Sequence, residues 1–521
     1  MCKSCASFAY NIGQYAIHDG GALAIDESLL AIIDIGSNSV RLMVVRRFGP
    51  NLAAIIDEQK ATPRLALAKD ADGFLTLDGF SRLVQSLQYF RDIAQSYHAD
   101  PIIVRATASL RNLANQQQVI QEIQRQTGLE VVVLSGEDEA QIGFRAVQSS
   151  ICLTQGWTVD VGGGSTEVVT FNEGRLVHQE SFPFGAVSLA SRFPVYKDLQ
   201  AWIHQQFASA KWLPRMPLQG IALGGSARVL ARALQEEMDY PLRQVHHFSV
   251  PSVVIETWLN NIATMTPDQR RKVAHIPKDR VDIIVPGIAI ILALLQITQT
   301  DQLTISGFGL RNGLLLDYLG SEPAPAFSSI ALNSALTVAL RNEWPLHLAM
   351  HLQERVAELG QAVQSILGWT PRAVELARTA ALLRYTGRNI NMYHWDQHTF
   401  YYALSAPLVG LSHKEWVEVA LIASYRSVKR LQKYWNPYSS ILSRAELVTV
   451  RQLGVLVRLA ELFAPPLMTG VERLNVQQSN KQLTITVSGT GISNPSKDLA
   501  DVAKDVKKSW QLKLVVPGLI S

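Results

Sequence analysis

The sequence predicts a multidomain α/β protein in which one βββ-plus-αβ unit occurs twice, followed by an all-helical region and a small α+β end. Three observations lead there: two strand–glycine turn–strand segments with the same layout, a Pro/Ala/Ser-rich break in the middle of the chain, and helical periodicity beyond it. A chain of 521 residues is also too long for a single ordinary core.

The first copy of the repeat is "AIIDIGSNSVRLMVVRRFGPNLAAIIDEQ" (31–59), which reads as a buried strand, a Gly-Ser-Asn-Ser turn, a second strand, a Gly-Pro-Asn turn and a third strand. The second is "WTVDVGGGSTEVVTFNEGRLVHQESF" (157–182), with turn residues in matching places. After the first meander the pattern predicts a helix over 78–98, a strand at "PIIVRATA", a helix at "QQVIQEIQRQTG" and a strand at "LEVVVLSG". After the second it predicts helical stretches over 185–210, a strand at "GIALGG" and a helix at "ARVLARALQ". Two domains, 29–150 and 151–320, are therefore expected to face each other across a cleft. Residues 1–28 are expected to be a loose extension. The segment "LGSEPAPAFSS" (319–329) marks a linker, 321–465 a helical domain, and 466–521 a small α+β domain built from a hairpin, a helix and a strand.

Composition sets the limits. The chain is 47% hydrophobic and 18% charged, as expected of a soluble globular protein. A net charge of +4 is too small to argue for a nucleic-acid polymer, but clustered positive charge would suit a polyanionic substrate. Cys2 and Cys5 form a C-x-x-C with no second pair, and Cys152 stands alone, which predicts reduced thiols in a cytoplasmic protein. The most apolar run, 282–298, carries Asp282, Pro286 and Gly287 and reads as a buried helix, so no membrane association is expected.

The triple glycine 162–164 is followed by a strand, which excludes a dinucleotide fingerprint. A strand–glycine–strand tip instead presents backbone N–H groups as an anion nest, and glycine admits phosphate oxygens close to the backbone. Two such tips would clamp a phosphate chain from both sides. Asp34 and Asp160 precede the tips and cannot favour phosphate by charge. They make sense as holders of a hydrated Mg²⁺ that bridges to phosphate oxygens, or, taken singly, as turn-closing residues.

The motifs "DIGSNSVRL", "RATASLRNLAN", "LSGEDEAQIGF", "DVGGGSTEVV", "FPFGAVSL", "ALGGSARVL" and "SGFGLRNGLL" resemble, in this order, those of the exopolyphosphatase/guanosine pentaphosphate phosphohydrolase family. That family belongs to the actin-like, ribonuclease-H-like ATPase fold group, and the resemblance is to its long, multidomain members. It implies hydrolysis of a terminal phosphoanhydride by water with Mg²⁺, in a protein expected to be a homodimer. Its catalytic glutamate falls on Glu139 and its phosphate-contacting arginine on Arg111. Ser37, Asn38, Ser39, Gly162, Gly163, Gly164 and Ser165 would supply donors to the terminal phosphates, and Glu167 would join Asp34 and Asp160 near the metal.

Glu139 also lies in a capping sequence, Ser135-x-x-Asp138, and acids in a first helical turn complement the helix dipole. Both roles fit, with Asp138 as the cap and Glu139 turned towards the cleft. Gly224, Gly225 and Ser226 form a third glycine turn, between strand and helix. It would contribute to substrate binding, as the equivalent turn seats adenosine in kinases of the group, or else pack the helix against the sheet.

The helical region resembles the HD-related domain of long exopolyphosphatases, but Arg384 and Tyr385 stand where a metal-binding member carries His-Asp. No second metal centre is expected there. The basic segments 270–280 and 425–433 would serve as a track for a long polyanion or as solvated helix faces. The expected activity is release of orthophosphate from inorganic polyphosphate. The alternatives are guanosine pentaphosphate hydrolysis and a non-catalytic polyphosphate or nucleotide sensor.

Overall fold

The computed structural model describes residues 28–49, 52–320, 328–342, 345–465, 467–479, 481–490 and 496–517. The expected N-terminal extension and its C-x-x-C lie outside the described residues, Ser28 excepted. The chain divides into two compact units between residues 324 and 325.

The first unit contains two lobes. Lobe I runs β1 (Leu29–Ile35), β2 (Val40–Gly49), β3 (Leu52–Ala61), α1 (Leu77–Ser96), β4 (Ile102–Ala106), α2 (Ala108–Arg111), α3 (Gln116–Thr127), β5 (Val131–Val133) and α4 (Gly136–Gln148). Lobe II runs β6 (Gln155–Val161), β7 (Thr166–Asn172), β8 (Arg175–Phe182), α5 (Ala186–Arg192), α6 (Tyr196–Ser209), β9 (Gln219–Leu223), α7 (Gly224–Glu237), β10 (Phe248–Pro251), α8 (Ser252–Ala263), α9 (Pro267–Arg270), α10 (Ile284–Ile297), β11 (Gln302–Ile305) and α11 (Leu310–Leu319).

The sheet orders are β3-β2-β1-β4-β5 and β10-β11-β9-β6-β7-β8. In each, an antiparallel meander (β1–β3, β6–β8) is joined by a strand parallel to its first member, β4 on β1 and β9 on β6. The duplication read from the sequence is therefore a duplication of topology, with β10 as an addition at one edge. Alternation sorts the side chains of β1: Ala31, Ile33 and Ile35 join the core under α1 and α3, while Leu30 and Ile32 face a second, smaller core with Ile142, Leu314 and Leu315. Thus α11, which follows the last strand of lobe II, packs on lobe I. The apolar run around 282–298 forms α10 and lies in the core of lobe II, with Pro286 tolerated in its first turn.

In the second unit the helices are α12 (Ser328–Arg341), α13 (Leu346–Leu367), α14 (Pro371–Leu383), α15 (Trp395–Ser405), α16 (His413–Ala423), α17 (Val428–Trp435) and α18 (Glu446–Leu462). Then follow β12 (Val471–Ser479), β13 (Gln482–Gly489), α19 (Ser496–Trp510) and β14 (Lys513–Val515), the strands forming a sheet in the order β12-β13-β14. Its most deeply buried ion pair joins Arg384 to Glu461, 3.1 Å apart, with Arg384 also donating to the carbonyls of Ala423 and Tyr425. On α17, Arg430 pairs with Asp396, so part of the 425–433 basic segment is engaged inside the unit.

Candidate active site

The two glycine tips close in the same way. Gly36 N–H donates to the Ser39 carbonyl at 3.1 Å, and Gly162 N–H donates to the Ser165 carbonyl at 3.0 Å. The tips meet: a Cβ placed on Gly163 would lie 2.8 Å from the Ser37 Cβ, so a side chain there would push the lobes apart. Asp34 and Asp160 occupy equivalent places, paired across their hairpins with Arg41 and Glu167. Gly224 has φ +88° and its missing Cβ would lie 2.3 Å from Asp160 Oδ1, so only glycine lets that carboxylate take its position.

Glu139 reaches the cleft because Ser135 caps α4 in a complete capping box with Asp138, which places Glu139 one residue on in the first turn. Arg111, at the end of α2, donates from Nη1 to the Leu134 carbonyl at 2.9 Å and lies 3.2 Å from Glu139 Oε2. Helix α2 is pinned to the end of β1 by a 2.6 Å bond from Ser109 Oγ to the Ile35 carbonyl. Behind Glu139, Ser181 Oγ donates to Glu167 Oε1 at 2.8 Å, while Glu167 Oε2 is buried with no partner among the described residues.

Burial and mutual repulsion govern these carboxyls. Burial, then Glu167 and Asp160, raise Glu139 well above the usual carboxylate range against the opposing pull of Arg111. Burial followed by Asp160 pushes Glu167 up to about 7, and burial pushes Asp160 up to about 6 against Arg228. Asp34 is raised by burial, with Arg311, Arg41 and Arg228 opposing.

A cavity of about 390 Å³ lies between the tips. Ser37, Asn38, Ser39, Gly162, Gly163, Ser165, Gly224, Gly225 and Ser226 line it, as do Asp34, Asp160 and Glu139. Gly164, Arg111 and Glu167 are not among the residues that line it. Two donors in the wall, Asn38 Nδ2 and Ser226 Oγ, are buried with no partner among the described residues.

The cavity's most conspicuous feature is its arginines. Arg41, Arg228, Arg232, Arg280 and Arg311 line it, from β2, from α7 (Arg228 and Arg232), from the segment before α10, and from α11. Arg228 donates to the Gly307 carbonyl at 3.2 Å, and Arg311 pairs with Glu58 at 2.7 Å. The Arg280 guanidinium lies over Gly225, where a Cβ would come within 2.0 Å of Nη2. Burial and then the neighbouring arginines push Arg228 down to about 9, and burial lowers Arg41 and Arg280. Arg41, Arg228 and Arg311 each stood inside a quoted motif and Arg280 inside a quoted basic segment. Their convergence is the signal, and it exists only in three dimensions. Gly224 and Gly225 line the cavity, and the space a Cβ would need at each is taken by Asp160 Oδ1 and the Arg280 guanidinium.

Two lobes of this topology, closing on carboxylates and arginines, are the build of a phosphate-handling enzyme of the actin-like ATPase fold group. Residues 44–322 match the Ppx/GppA phosphatase family, and the chain belongs to it. Membership makes it a hydrolase acting on phosphoanhydride bonds. Exopolyphosphatase 1 of Mycobacterium tuberculosis is 27% identical over 310 residues, covering 56% of this chain and 89% of the relative. The Ppx/GppA family member of Aquifex aeolicus, known from a crystal structure, is 25% identical with a TM-score of 0.50, covering 56% of this chain and 97% of its own. An exopolyphosphatase structure from Cytophaga hutchinsonii shares the fold at 23% identity and a TM-score of 0.52, covering 57% and 100%.

Proposed function

We propose that this protein is an exopolyphosphatase that releases orthophosphate from the end of inorganic polyphosphate. The observation that carries the reading is the set of five arginines contributed by both lobes to one cavity. They bring more positive charge than a single terminal phosphate requires, and they suit a run of phosphates.

In this reading the two tips hold the terminal phosphate through backbone N–H groups, Asn38 Nδ2 and Ser226 Oγ. Glu139 accepts a proton from the attacking water as the new P–O bond forms. The bridging P–O bond breaks, and the shortened chain leaves with its charge facing the arginines. The raised pKa of Glu139 makes it a better proton acceptor than a solvated glutamate once it is ionised. Arg111 keeps its ionised form accessible.

Mg²⁺ fits this donor set. Mutually repelling carboxyls and the orphaned Glu167 Oε2 call for a cation, although no group of three candidate ligands is gathered for one among the described residues. Mg²⁺ keeps several waters and takes one or two carboxylates plus phosphate oxygens, so a full protein cage is unnecessary. Asp34 and Asp160, in the cavity wall, would hold it through one or both carboxylates, with Glu167 near it through bound water, and when bound it supplies neutralisation of phosphate charge. The helical half is read as HD-related without a second centre, a reading supported by the burial of Arg384 against Glu461. A homodimer in the cytoplasm completes the proposal. No helix among the described residues is long and apolar enough to cross a membrane, and sedimentation velocity tests the dimer.

The deciding experiment compares phosphate release from long-chain polyphosphate and from guanosine pentaphosphate, with Mg²⁺, at matched concentrations. A large preference for polyphosphate is expected. A preference for the nucleotide would make guanosine pentaphosphate the substrate, and inactivity on both would leave a sensor.

A further inference from the structure

Outside the cleft, a second cavity of about 450 Å³ opens on lobe I between β4, β5, α4 and α11. We propose that it is a second ligand site, for a small organic anion with a single negative charge and a flat apolar body, and that its occupancy is transmitted to the cleft through α4 and α11.

The chemistry of its walls selects the ligand. Ile103, Val132, Leu134 and Leu314 make an apolar wall, and Val132 remains 42% exposed although it sits on a strand. Four charged groups reach the cavity, and three are already engaged. Arg145 pairs with Asp317, and Asp138 accepts from Ser135 N–H and Oγ in the α4 cap. Arg105 donates only to the neighbouring Val104 carbonyl, and no carboxylate pairs with it among the described residues. Among the described residues of this wall, Arg105 is the cation without an acid partner, and it attracts an anion. The two aspartates in the same wall oppose a polyanion, which separates this site from the substrate cleft.

The route to the cleft is mechanical. Helices α4 and α11 follow equivalent strands of the two lobes, and each carries a cleft residue in its first turn, Glu139 and Arg311. They cross where Gly313 lies against Ile142, so closely that a Cβ on Gly313 would come within 2.1 Å of the Ile142 carbonyl oxygen. The two helices therefore cannot slide at that crossing, and a ligand wedged between them and β4–β5 tilts them together. Strand β4 makes a third link, with Arg105 in the cavity and Thr107, two residues on, in the cleft wall.

The test uses 8-anilinonaphthalene-1-sulfonate, an aromatic monoanion, as a fluorescent probe on the full chain. Saturable binding that survives excess pyrophosphate is expected, weakened about tenfold in Arg105→Gln by loss of one charge-assisted hydrogen bond. Val132→Trp, which fills the mouth from an exposed position, should weaken it similarly. Both variants should keep basal hydrolysis, and bound probe should change kcat in the parent protein but not in the variants. No saturable binding, displacement by pyrophosphate, or equal binding in both variants overturns the site. Binding without any change in kcat overturns the transmission.

Discussion

Arg111 Nη1 lies 3.2 Å from Glu139 Oε2, at the edge of a cleft where Glu167 and Asp160 repel the same carboxylate. The arginine touches the proposed base itself. Within the proposed mechanism it holds Glu139 in place and stabilises its charge.

Replacement of Glu139 by Gln should cut kcat by roughly 10²–10⁴-fold, the usual contribution of a general base. Binding of polyphosphate, measured by calorimetry, should survive, because the tips and arginines are untouched. Turnover near the parent rate would remove Glu139 from the role of base.

The pH dependence follows from the raised carboxyls. A base must be ionised to act, and Glu139 is raised while Glu167 titrates at about 7 and Asp160 at about 6. As pH falls through this window the groups protonate and kcat drops, so the acid limb should lie well above the ~4.3 of an ordinary glutamate. Arg111→Gln removes the opposing cation and should move the limb up by ~1 unit or more. Stability runs the other way. Groups whose folded pKa is raised stabilise at low pH and lose that contribution as pH rises through the folded value. Thermal melts without added metal should therefore weaken between about pH 4 and 7.

The contact between the tips separates two adjacent glycines. Gly163→Ala would drive a methyl to 2.8 Å from Ser37 Cβ and 3.2 Å from Val187 Cγ2, whereas Gly164→Ala meets only ordinary contacts at 3.5 and 3.8 Å. The first should cost ~1–3 kcal/mol of overpacking or lobe separation and lower kcat/KM at least about tenfold. The second should stay within about threefold. Equal effects would show that tip apposition does not matter.

In the helical half, Arg384 is 1% exposed and its guanidinium lies 4.5 Å from the Trp395 ring while bonded to Glu461. Arg384→Ala removes the nearer of two arginines on the buried Glu461, leaving Arg388 at 3.7 Å, and takes the donor from the Ala423 and Tyr425 carbonyls; it should cost about 3–5 kcal/mol. Faster hydrogen exchange across α14 and α18 would report it, and unchanged protection would refute it.

Much of the first unit was legible because its signals are local. The repeat of strand, glycine turn and strand, the capping sequence Ser135-x-x-Asp138, and the buried run that became α10 all follow from short-range sterics, periodicity and hydrogen bonding. Gly224 was legible only in part. The sequence marked a turn, but the reason for glycine, the Asp160 carboxylate 2.3 Å from its missing Cβ, comes from a different strand.

By itself, then, the sequence determined the doubled topology, the two Asp-x-Gly tips and the position of Glu139 in its helix, because each is decided within a few residues of backbone. The tertiary structure alone decided that Arg41, Arg228, Arg280 and Arg311 share one cavity, that Arg111 pairs with Glu139, and that α11 returns to lobe I. A charged side chain reads the same in sequence whether it faces solvent or a cleft. Only the packing of distant elements sets its desolvation and its charged neighbours, and with them its chemistry.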